Sequence, residues 1–590
     1  MSEAAGAPHW DLSLLYEYGS PRLEADLRKI RSLGCDFPLW RERLAAPDFS
    51  PAEFDSLLSD LAHIQEFSSR LSGYSTLYFS EDTANQKAQS FVGMVDSQLV
   101  ELENSLLFFQ HWWKHLEADR AEEFLRAVPR LEYYLRRIRA FKPYTLSEAE
   151  ERIINYKDVT GSEALVVIYD TITNRYRFRT DFLPGGAEGR VSREELMVHA
   201  RSHLPEAREG AYREFYRVFG EEGPTLALIF QSLARDWRVE NVTLRGYRGP
   251  REARNVVNDL PEHVVESLLR VSESETPRVF GEYFRKKAEA LKLPRLRRYD
   301  VYAPLAPAPE REIPFSEALE EVRKAFSSFS PRMAEAALNV YEKRHLSAAR
   351  LPGKESGAYC ASLDPDDAPW VLMTYKGRRQ DIFTLAHELG HAVHSQLAAG
   401  RGIFQFHAAL PLAETASTFG EMLLASSFRR KNSDPLVKND LLFHLLDDAY
   451  ATVGRQAFFS LFEAEAHDMV EGGATAGEIS AAYFKNLQRQ FGDSVELSPE
   501  FAWEWVSIPH FFHTPFYVYA YTFGQLLVYS LYRRYEIEGE AFVPRFLGIL
   551  SQGGAASPVD ILNEAGVGPL DDDFWKGGFE VIESFIKELD

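Results

Sequence analysis

The chain has 590 residues, of which 45% are hydrophobic and 26% are charged, values that exclude a disordered or fibrous protein. Its 66 lysines and arginines stand against 88 aspartates and glutamates, so the net charge is −22. An acidic surface repels phosphate backbones and anionic lipids, and we therefore expect no nucleic-acid or membrane partner. With only Cys35 and Cys360, the chain has no disulfide framework and suits a reducing compartment.

Targeting signals are not visible in the sequence. The first residues lack a basic region followed by an apolar stretch, and no run of about 18 apolar residues could span a bilayer. We therefore expect a cytoplasmic location. No feature marks an obligate protein partner.

Helical periodicity dominates the first part of the chain. Apolar residues recur every three or four positions between Pro21 and Phe141, which predicts long packed helices. An alternating stretch at Tyr176–Asp181 predicts a short strand, followed by a turn at Leu183–Gly186. Five prolines between Leu293 and Pro314 predict a loop or a connector between domains.

Two short apolar runs follow, at Ala358–Cys360 and Trp370–Tyr375, and each lies between glycine and proline signals. They predict two strands of a small sheet. A helix is then predicted, with Asp381 as its N-cap. The expected fold class is mainly α, with a small β-sheet near the active site.

That predicted helix carries the sequence His387-Glu388-Leu389-Gly390-His391. At 3.6 residues per turn, the two histidines lie about 40° apart around the axis and about 6 Å apart along it, so both imidazoles can bind one ion. Glu388 is placed to hydrogen-bond a water molecule at that ion. The apolar neighbours predict a buried helix, where unpartnered histidines would be costly. The pattern therefore predicts metal-assisted hydrolysis at one zinc ion.

A catalytic zinc site needs a third protein ligand. The positions that would hold a glycine and a third histidine in the extended motif carry His394 and Leu397, which argues against a metzincin. Glu414 and Glu421 are seven residues apart and would share a helix face, so either could bind the metal. We take Glu414 as the ligand, with Glu421 and Ser417 as hydrogen-bonding partners of the ligands. Gly420 in the same helix would be explained by a close helix crossing.

An aromatic stretch at Ser507–Tyr521 offers donors for an oxyanion. Thr514 and Pro515 predict the N-cap and first residue of a helix, which would leave His510 in the preceding loop. Tyr517 and Tyr521 would then lie one turn apart on one face. The alternative for each tyrosine is core packing with its hydroxyl bonded locally, and for His513 we favour this alternative.

The sequence resembles the oligoendopeptidase F branch of the thimet oligopeptidase family of zinc metallopeptidases. The resemblance extends over nearly the whole chain and rests on the following segments: Phe383–Ala392, Glu414–Glu421, Ile508–His510 and Pro515–Tyr519, with weaker matches at Trp10–Leu12, Gly357–Tyr359 and Arg455-Gln456.

The resemblance implies an elongated, mostly helical molecule with a deep substrate channel. Residues 1–190 would form part of the channel wall, and residues 191–590 would form the catalytic region. The resemblance also implies the residues of the active site: metal ligands His387, His391 and Glu414; general base Glu388; transition-state donors His510 and Tyr521, with Tyr517 or Tyr519 as alternatives; substrate-binding residues Gly357, Tyr359 and Tyr519.

Together these features predict a zinc-dependent oligoendopeptidase that cleaves internal bonds of short unfolded peptides. One alternative is a catalytically weak zinc protein that binds peptides, and another is a zinc hydrolase of a non-peptide amide. Glu388 argues against the first alternative, because a structural metal site has no use for a carboxylate at the water position.

Overall fold

Helices make up 73% of the computed structural model, which describes residues 6–182, 189–305, 311–431 and 434–589. The few strands are two or three residues long, so the predicted mainly α class is confirmed. None of the described helices is long and apolar enough to cross a membrane.

Two compact units divide the chain, and each is assembled from three separate segments. Unit 1 contains residues 1–142, 310–431 and 534–567, and unit 2 contains the rest. The predicted division after residue 190 concerns functional regions and stays a prediction, as do the elongated shape and the channel.

The α-helices of unit 1 confirm the helical prediction for the N-terminal part of the chain. They span Pro21–Asp36, Trp40–Leu44, Pro51–Glu81, Gln86–His115, Ala118–Ala127, Glu132–Ala140, Phe315–Phe329, Pro331–Glu342, Arg379–Ala398, Leu410–Ala413, Thr415–Lys431, Val543–Gln552 and Pro558–Glu564. The third of these begins with a capping box, in which Ser50 and Glu53 satisfy each other's backbone N–H groups.

A small three-stranded sheet lies in the same unit. Trp370–Leu372 is the central strand, with Leu346–Ser347 parallel on one side and Tyr359–Ala361 antiparallel on the other. The strands Tyr359–Ala361 and Trp370–Leu372 were predicted, whereas Leu346–Ser347 is too short to give a periodic signal. Trp370 and Leu372 pack into the core formed by the N-terminal helices, so the sheet is tied to that core.

The helix that carries the histidine motif, Arg379–Ala398, is called the motif helix below. It begins two residues before Asp381, so the predicted N-cap is wrong. Asp381 lies in the first turn instead, and its carboxylate accepts hydrogen bonds from the backbone N–H groups of Arg378 and Lys376 at 3.0 and 2.6 Å. The carboxylate caps the helix from inside because it can reach back to these donors.

A second helix, Thr415–Lys431, crosses the motif helix at very short range and is called the glutamate helix. A Cβ atom at Gly390 would lie 2.5 Å from the Cα atom of Ser417 and 2.6 Å from the carbonyl oxygen of Ala416. A Cβ atom at Gly420 would lie 3.2 Å from the carbonyl oxygen of Ala386 in the motif helix, and 2.8 Å from the Phe326 ring. The missing side chains therefore allow the two backbones to touch.

Unit 2 is also mainly helical. Its α-helices are Glu148–Thr160, Ser162–Asn174, Arg193–Ala200, Pro205–Glu221, Gly223–Arg238, Glu252–Asn258, Glu262–Ala290, Pro435–Ala449, Arg455–Glu471, Ala476–Phe491, His510–His513, Tyr519–Glu538 (the end of which enters unit 1) and Asp572–Lys587. Its strands pair as Phe178–Arg179 with Arg190–Val191, and as Leu296–Arg297 with Val495–Glu496. The strand predicted at Tyr176–Asp181 is thus present, and the turn predicted at Leu183–Gly186 lies outside the described residues.

The helix predicted to begin at Pro515 begins instead at Tyr519. Phe516 adopts a left-handed backbone conformation with φ of 58°, which is incompatible with a right-handed helix. His510 is also not in a loop, since it starts the short helix His510–His513.

Replacing Gly390 with alanine should separate the motif and glutamate helices. The added Cβ atom meets backbone atoms that cannot rotate away, so we expect a loss of about 1 to 3 kcal/mol in the free energy of unfolding, together with weaker metal binding. Chemical denaturation and metal titration measure the two effects. Gly400→Ala is the matched control, because its Cβ atom would meet no described atom within 4 Å. Equal stability of the two variants would contradict the close crossing.

Candidate active site

The motif helix and the residue just before the glutamate helix bring three metal-binding side chains together in unit 1. Glu414 Oε2 lies 3.4 Å from His387 Nε2 and 3.3 Å from His391 Nε2. One ligand atom from each residue lies within 4.8 Å of the other two. Two imidazole nitrogens and one carboxylate oxygen are the donor set of many catalytic zinc sites, so these residues fit a divalent metal ion.

Glu414 and Glu421 do not lie on one continuous helix. Glu414 occupies the break between the short helix Leu410–Ala413 and the glutamate helix, which places its carboxylate among the imidazoles. Glu421 lies farther along the glutamate helix and accepts a 2.6 Å hydrogen bond from His387 Nδ1. The break therefore separates the two carboxylates into different positions around the same histidine.

Hydrogen bonds fix the orientation of two of these groups. The bond from Nδ1 to Glu421 leaves Nε2 of His387 facing Glu414. Ser417 Oγ donates a 2.6 Å hydrogen bond to the same Oε2 atom of Glu414. Glu421 and Ser417 are the two residues that the sequence named as partners of the ligands, and such contacts normally set the tautomer and direction of metal ligands.

The charges of the site act on one another. Burial alone would lower the pKa of His387, but its hydrogen bond to Glu421 and the surrounding carboxylates raise it to about 9. Burial would raise the pKa of Glu414, but its contacts with His391 and Ser417 lower it to about 2. The carboxylates therefore give the site a negative charge that attracts a cation.

Glu388 follows the first histidine and is only 6% exposed. Burial raises its pKa above the usual value for a glutamate, and the two neighbouring histidines oppose that effect. A carboxyl group with a raised pKa both accepts and releases a proton more readily near neutral pH.

These side chains line a cavity of about 440 Å³ in unit 1. Tyr359 and Cys360 of the outer strand form part of the wall, so the small sheet borders the site as predicted. Gly357 precedes this strand with φ of 95° and is not among the residues that line the cavity.

Two further histidines line this cavity and were not predicted as part of the site. His394 is buried, which lowers its pKa to about 4, and its ring hydrogen-bonds the backbone of Ala413 beside Glu414. Its position seven residues after His387, two turns along the same helix face, was a usable signal. His407 comes from the loop after the motif helix and had no such signal.

The predicted oxyanion donors lie in unit 2 and are described there by themselves. His510 Nε2 is 3.5 Å from the hydroxyl oxygen of Tyr521. The ring of Tyr517 packs edge-on against that of Tyr521, with ring centres 5.2 Å apart. Unit 2 therefore brings together three of the four aromatic side chains that were considered as donors.

Buried polar groups hold the segment that bears these residues. Glu463 accepts a 2.8 Å hydrogen bond from the backbone N–H of Phe516, which stabilises its left-handed conformation. Arg254 donates to the carbonyl oxygen of Pro515. Tyr519 is buried, and its hydroxyl oxygen accepts a 2.9 Å hydrogen bond from Asn258. Its described contact is structural, and its assignment to substrate binding stays a prediction.

Comparison with known families assigns the chain. A family model described as Peptidase family M3 matches residues 198–581, and one described as Oligopeptidase F matches residues 112–178. The first match spans more than half of the chain, so the chain belongs to peptidase family M3, a family of metal-dependent peptidases. The predicted resemblance to the oligoendopeptidase F branch is confirmed, and the protein is a metalloendopeptidase.

Individual relatives agree with this assignment. The chain is 25% identical to Oligopeptidase PepF of Bacillus subtilis over 89% of its length and 79% of the relative. It is 24% identical to the chromosomal Oligoendopeptidase F of Lactococcus lactis subsp. cremoris, over 100% of this chain and 98% of the relative.

Solved structures share the fold. A candidate peptidase from Chlamydophila abortus superposes with a TM-score of 0.88 at 24% identity and covers 98% of this chain and 97% of its own. The oligoendopeptidase-F of Enterococcus faecium superposes with a TM-score of 0.70 at 22% identity, over 96% of this chain and 98% of its own.

Substitutions at Glu414 and Glu421 should distinguish a residue that binds the metal from one that only orients a ligand. Glu421→Gln should weaken metal binding about 10- to 100-fold, because it removes the charged partner of His387. Glu414→Gln should weaken binding more, because it removes a ligand. Competition with a coloured chelator measures both affinities. Glu335→Gln, at an exposed site in unit 1, is the control. A metal affinity that is unchanged in Glu414→Gln would transfer the ligand role to Glu421.

Proposed function

We propose that the protein is a zinc-dependent oligoendopeptidase that hydrolyses internal bonds of short unfolded peptides. The observation that carries the proposal is the convergence of His387, His391 and Glu414 with the buried carboxyl group of Glu388 on one cavity. A cytoplasmic location, suggested by the sequence, stays a prediction.

The three ligands would hold one zinc ion. When bound, zinc supplies a Lewis acid that lowers the pKa of water and polarises the scissile carbonyl. The softer imidazole donors favour zinc over magnesium or calcium, which prefer oxygen ligands. Glu421 and Ser417 keep the ligands in their orientation.

Glu388 would act as the general base. Its carboxylate accepts a proton from the attacking water and passes that proton to the leaving amine. The raised pKa of Glu388 suits both steps, because a group that titrates closer to neutral pH can take and give the proton. No covalent intermediate with the protein is required.

His510 and Tyr521 would donate hydrogen bonds to the oxyanion that forms when the carbonyl is attacked. Their contact at 3.5 Å orients the two donors with respect to each other within unit 2. Tyr517 is the alternative donor, because its ring contacts that of Tyr521.

The outer strand Tyr359–Ala361 would bind the substrate. Within the described part of the chain this strand pairs with Trp370–Leu372 alone, so its other edge offers backbone N–H and C=O groups to an extended peptide. Backbone pairing tolerates many side chains, which suits a peptidase of broad specificity. Folded proteins do not present such an extended backbone.

Quenched fluorescent peptides of graded length test the proposal. We expect cleavage within short peptides that stops on addition of a chelator, returns with zinc and declines for folded substrates. Glu388→Gln should retain zinc and lose activity by at least about 10³-fold, because general-base catalysis and water orientation are both lost. Metal analysis of that variant is the control. Substantial cleavage by Glu388→Gln, or binding of peptides without cleavage by the native chain, would contradict the proposal.

Substitution of the tyrosines identifies the oxyanion donor. Tyr521→Phe should lower kcat about 10²- to 10³-fold with little change in KM, because the lost hydrogen bond forms mainly in the transition state. Tyr517→Phe is the matched control and should retain most of the activity. The reverse result would assign the donor role to Tyr517.

A further inference from the structure

Two arginines in the interior of unit 2 share one carboxylate oxygen. Arg298 Nη2 lies 2.6 Å, and Arg455 Nη2 lies 3.0 Å, from Oε1 of Glu504. The side chains of Arg298 and Glu504 are 2% and 1% exposed. These three residues, with Tyr302, Tyr450 and Tyr483 around them, are called the arginine cluster below. Arg455 Cζ lies 6.0 Å from the centre of the Tyr302 ring, which is 6.1 Å from that of Tyr450. The charges of both arginines also oppose the rise that burial causes in the pKa of all three tyrosines.

The arginine cluster has an excess positive charge. Arginine remains protonated in proteins, and Glu504 supplies one negative charge against two positive ones. Nearby buried ion pairs have their own partners: Lys287 binds Asp447, and Arg208 binds Asp300. The cluster therefore carries a net charge of one positive unit, shared between the buried Arg298 and the partly exposed Arg455, and uncompensated charge is costly where it is buried.

Several polar atoms of the arginine cluster also lack a partner. Among the described residues, no hydrogen-bond partner is found for Arg298 Nε and Nη1, for Arg455 Nε or for the three tyrosine hydroxyl groups. Oε2 of Glu504, an acceptor, also has no hydrogen-bond partner among the described residues. Donors thus outnumber acceptors, since the arginine N–H groups can only donate whereas the tyrosine hydroxyls can do both, although buried polar groups are normally hydrogen-bonded.

We propose that the arginine cluster binds a chloride ion. A monovalent anion balances the single excess charge and accepts hydrogen bonds from several N–H and O–H donors at once. Water would satisfy the donors without removing the charge. Phe491 and Phe501 pack against the Arg298 guanidinium, with ring centres 5.8 and 5.1 Å away, so the anion must be small.

The side chain of Arg455 is 28% exposed although its Nε atom is buried, so this end of the arginine cluster borders solvent. Arg455 begins the helix that also bears Glu463, the residue that holds Phe516. Chloride would therefore stabilise the interior of unit 2 next to this helix. The inference does not depend on the proposed peptidase mechanism, since it concerns residues outside the metal site.

Thermal unfolding of the full chain at constant ionic strength tests the proposal. The protein is purified without halide in sodium gluconate, and gluconate is then replaced stepwise by chloride or bromide. We expect a saturable rise in Tm with both halides, because a ligand that binds only the folded state stabilises it. Equal Tm values in gluconate and chloride at all concentrations would overturn the proposal.

A hydroxyl deletion provides the second measurement. Tyr450→Phe should raise the chloride concentration for half of the Tm shift about tenfold, as expected for loss of one hydrogen bond to a charged ligand. Without an anion, removal of an unpartnered buried hydroxyl should leave Tm unchanged or raise it in every salt. Tyr176→Phe is the matched control, because it removes an unpartnered buried hydroxyl of unit 2 outside the arginine cluster.

Crystals soaked in sodium bromide locate the ion directly. Anomalous difference density among Arg298, Arg455 and the tyrosine hydroxyls is expected at the bromine absorption edge. Density for water alone at that position would overturn the proposal whatever the activity of the enzyme.

Discussion

The contact between the motif helix and the glutamate helix is the constraint on which the metal site depends. Gly390 lets the backbones approach until a single added carbon atom would lie 2.5 Å from Ser417 Cα. At that separation the carboxylate of Glu421 on the glutamate helix reaches His387 on the motif helix directly. A wider crossing would replace this direct bond with water, and His387 would lose the orientation that a catalytic metal requires.

The sequence was most informative where function imposes a local pattern. Helix geometry alone predicts that His387 and His391, four residues apart, share one helix face, with Glu388 beside the first of them. The apolar periodicity predicts the mainly α fold. The choice between Glu414 and Glu421 depended on a helix break that no propensity marks, since Glu414 lies between two helices. The strand Leu346–Ser347 was missed because two residues carry no periodicity.

The incorrect helix start near Pro515 has a physical reason of a different kind. Thr514 and Pro515 are good local signals, but the conformation of Phe516 is determined by Glu463, about 50 residues earlier in the chain. A buried carboxyl group whose oxygen accepts a hydrogen bond from a backbone N–H can hold a residue in a left-handed conformation against its own preference. Such long-range contacts override local propensity and are not visible in a single sequence. The histidine and tyrosines of that segment are thereby fixed by distant residues.

The division of each unit among three chain segments has a consequence for the order in which the protein is made. Phe419 of the glutamate helix packs against Tyr535 and Phe546, with ring centres 6.3 and 4.1 Å apart. These partners belong to the last segment of unit 1 and are translated more than a hundred residues later. The metal-bearing unit therefore cannot complete its packing on the ribosome until nearly the whole polypeptide has been synthesised, so a nascent chain would not carry a finished peptidase site.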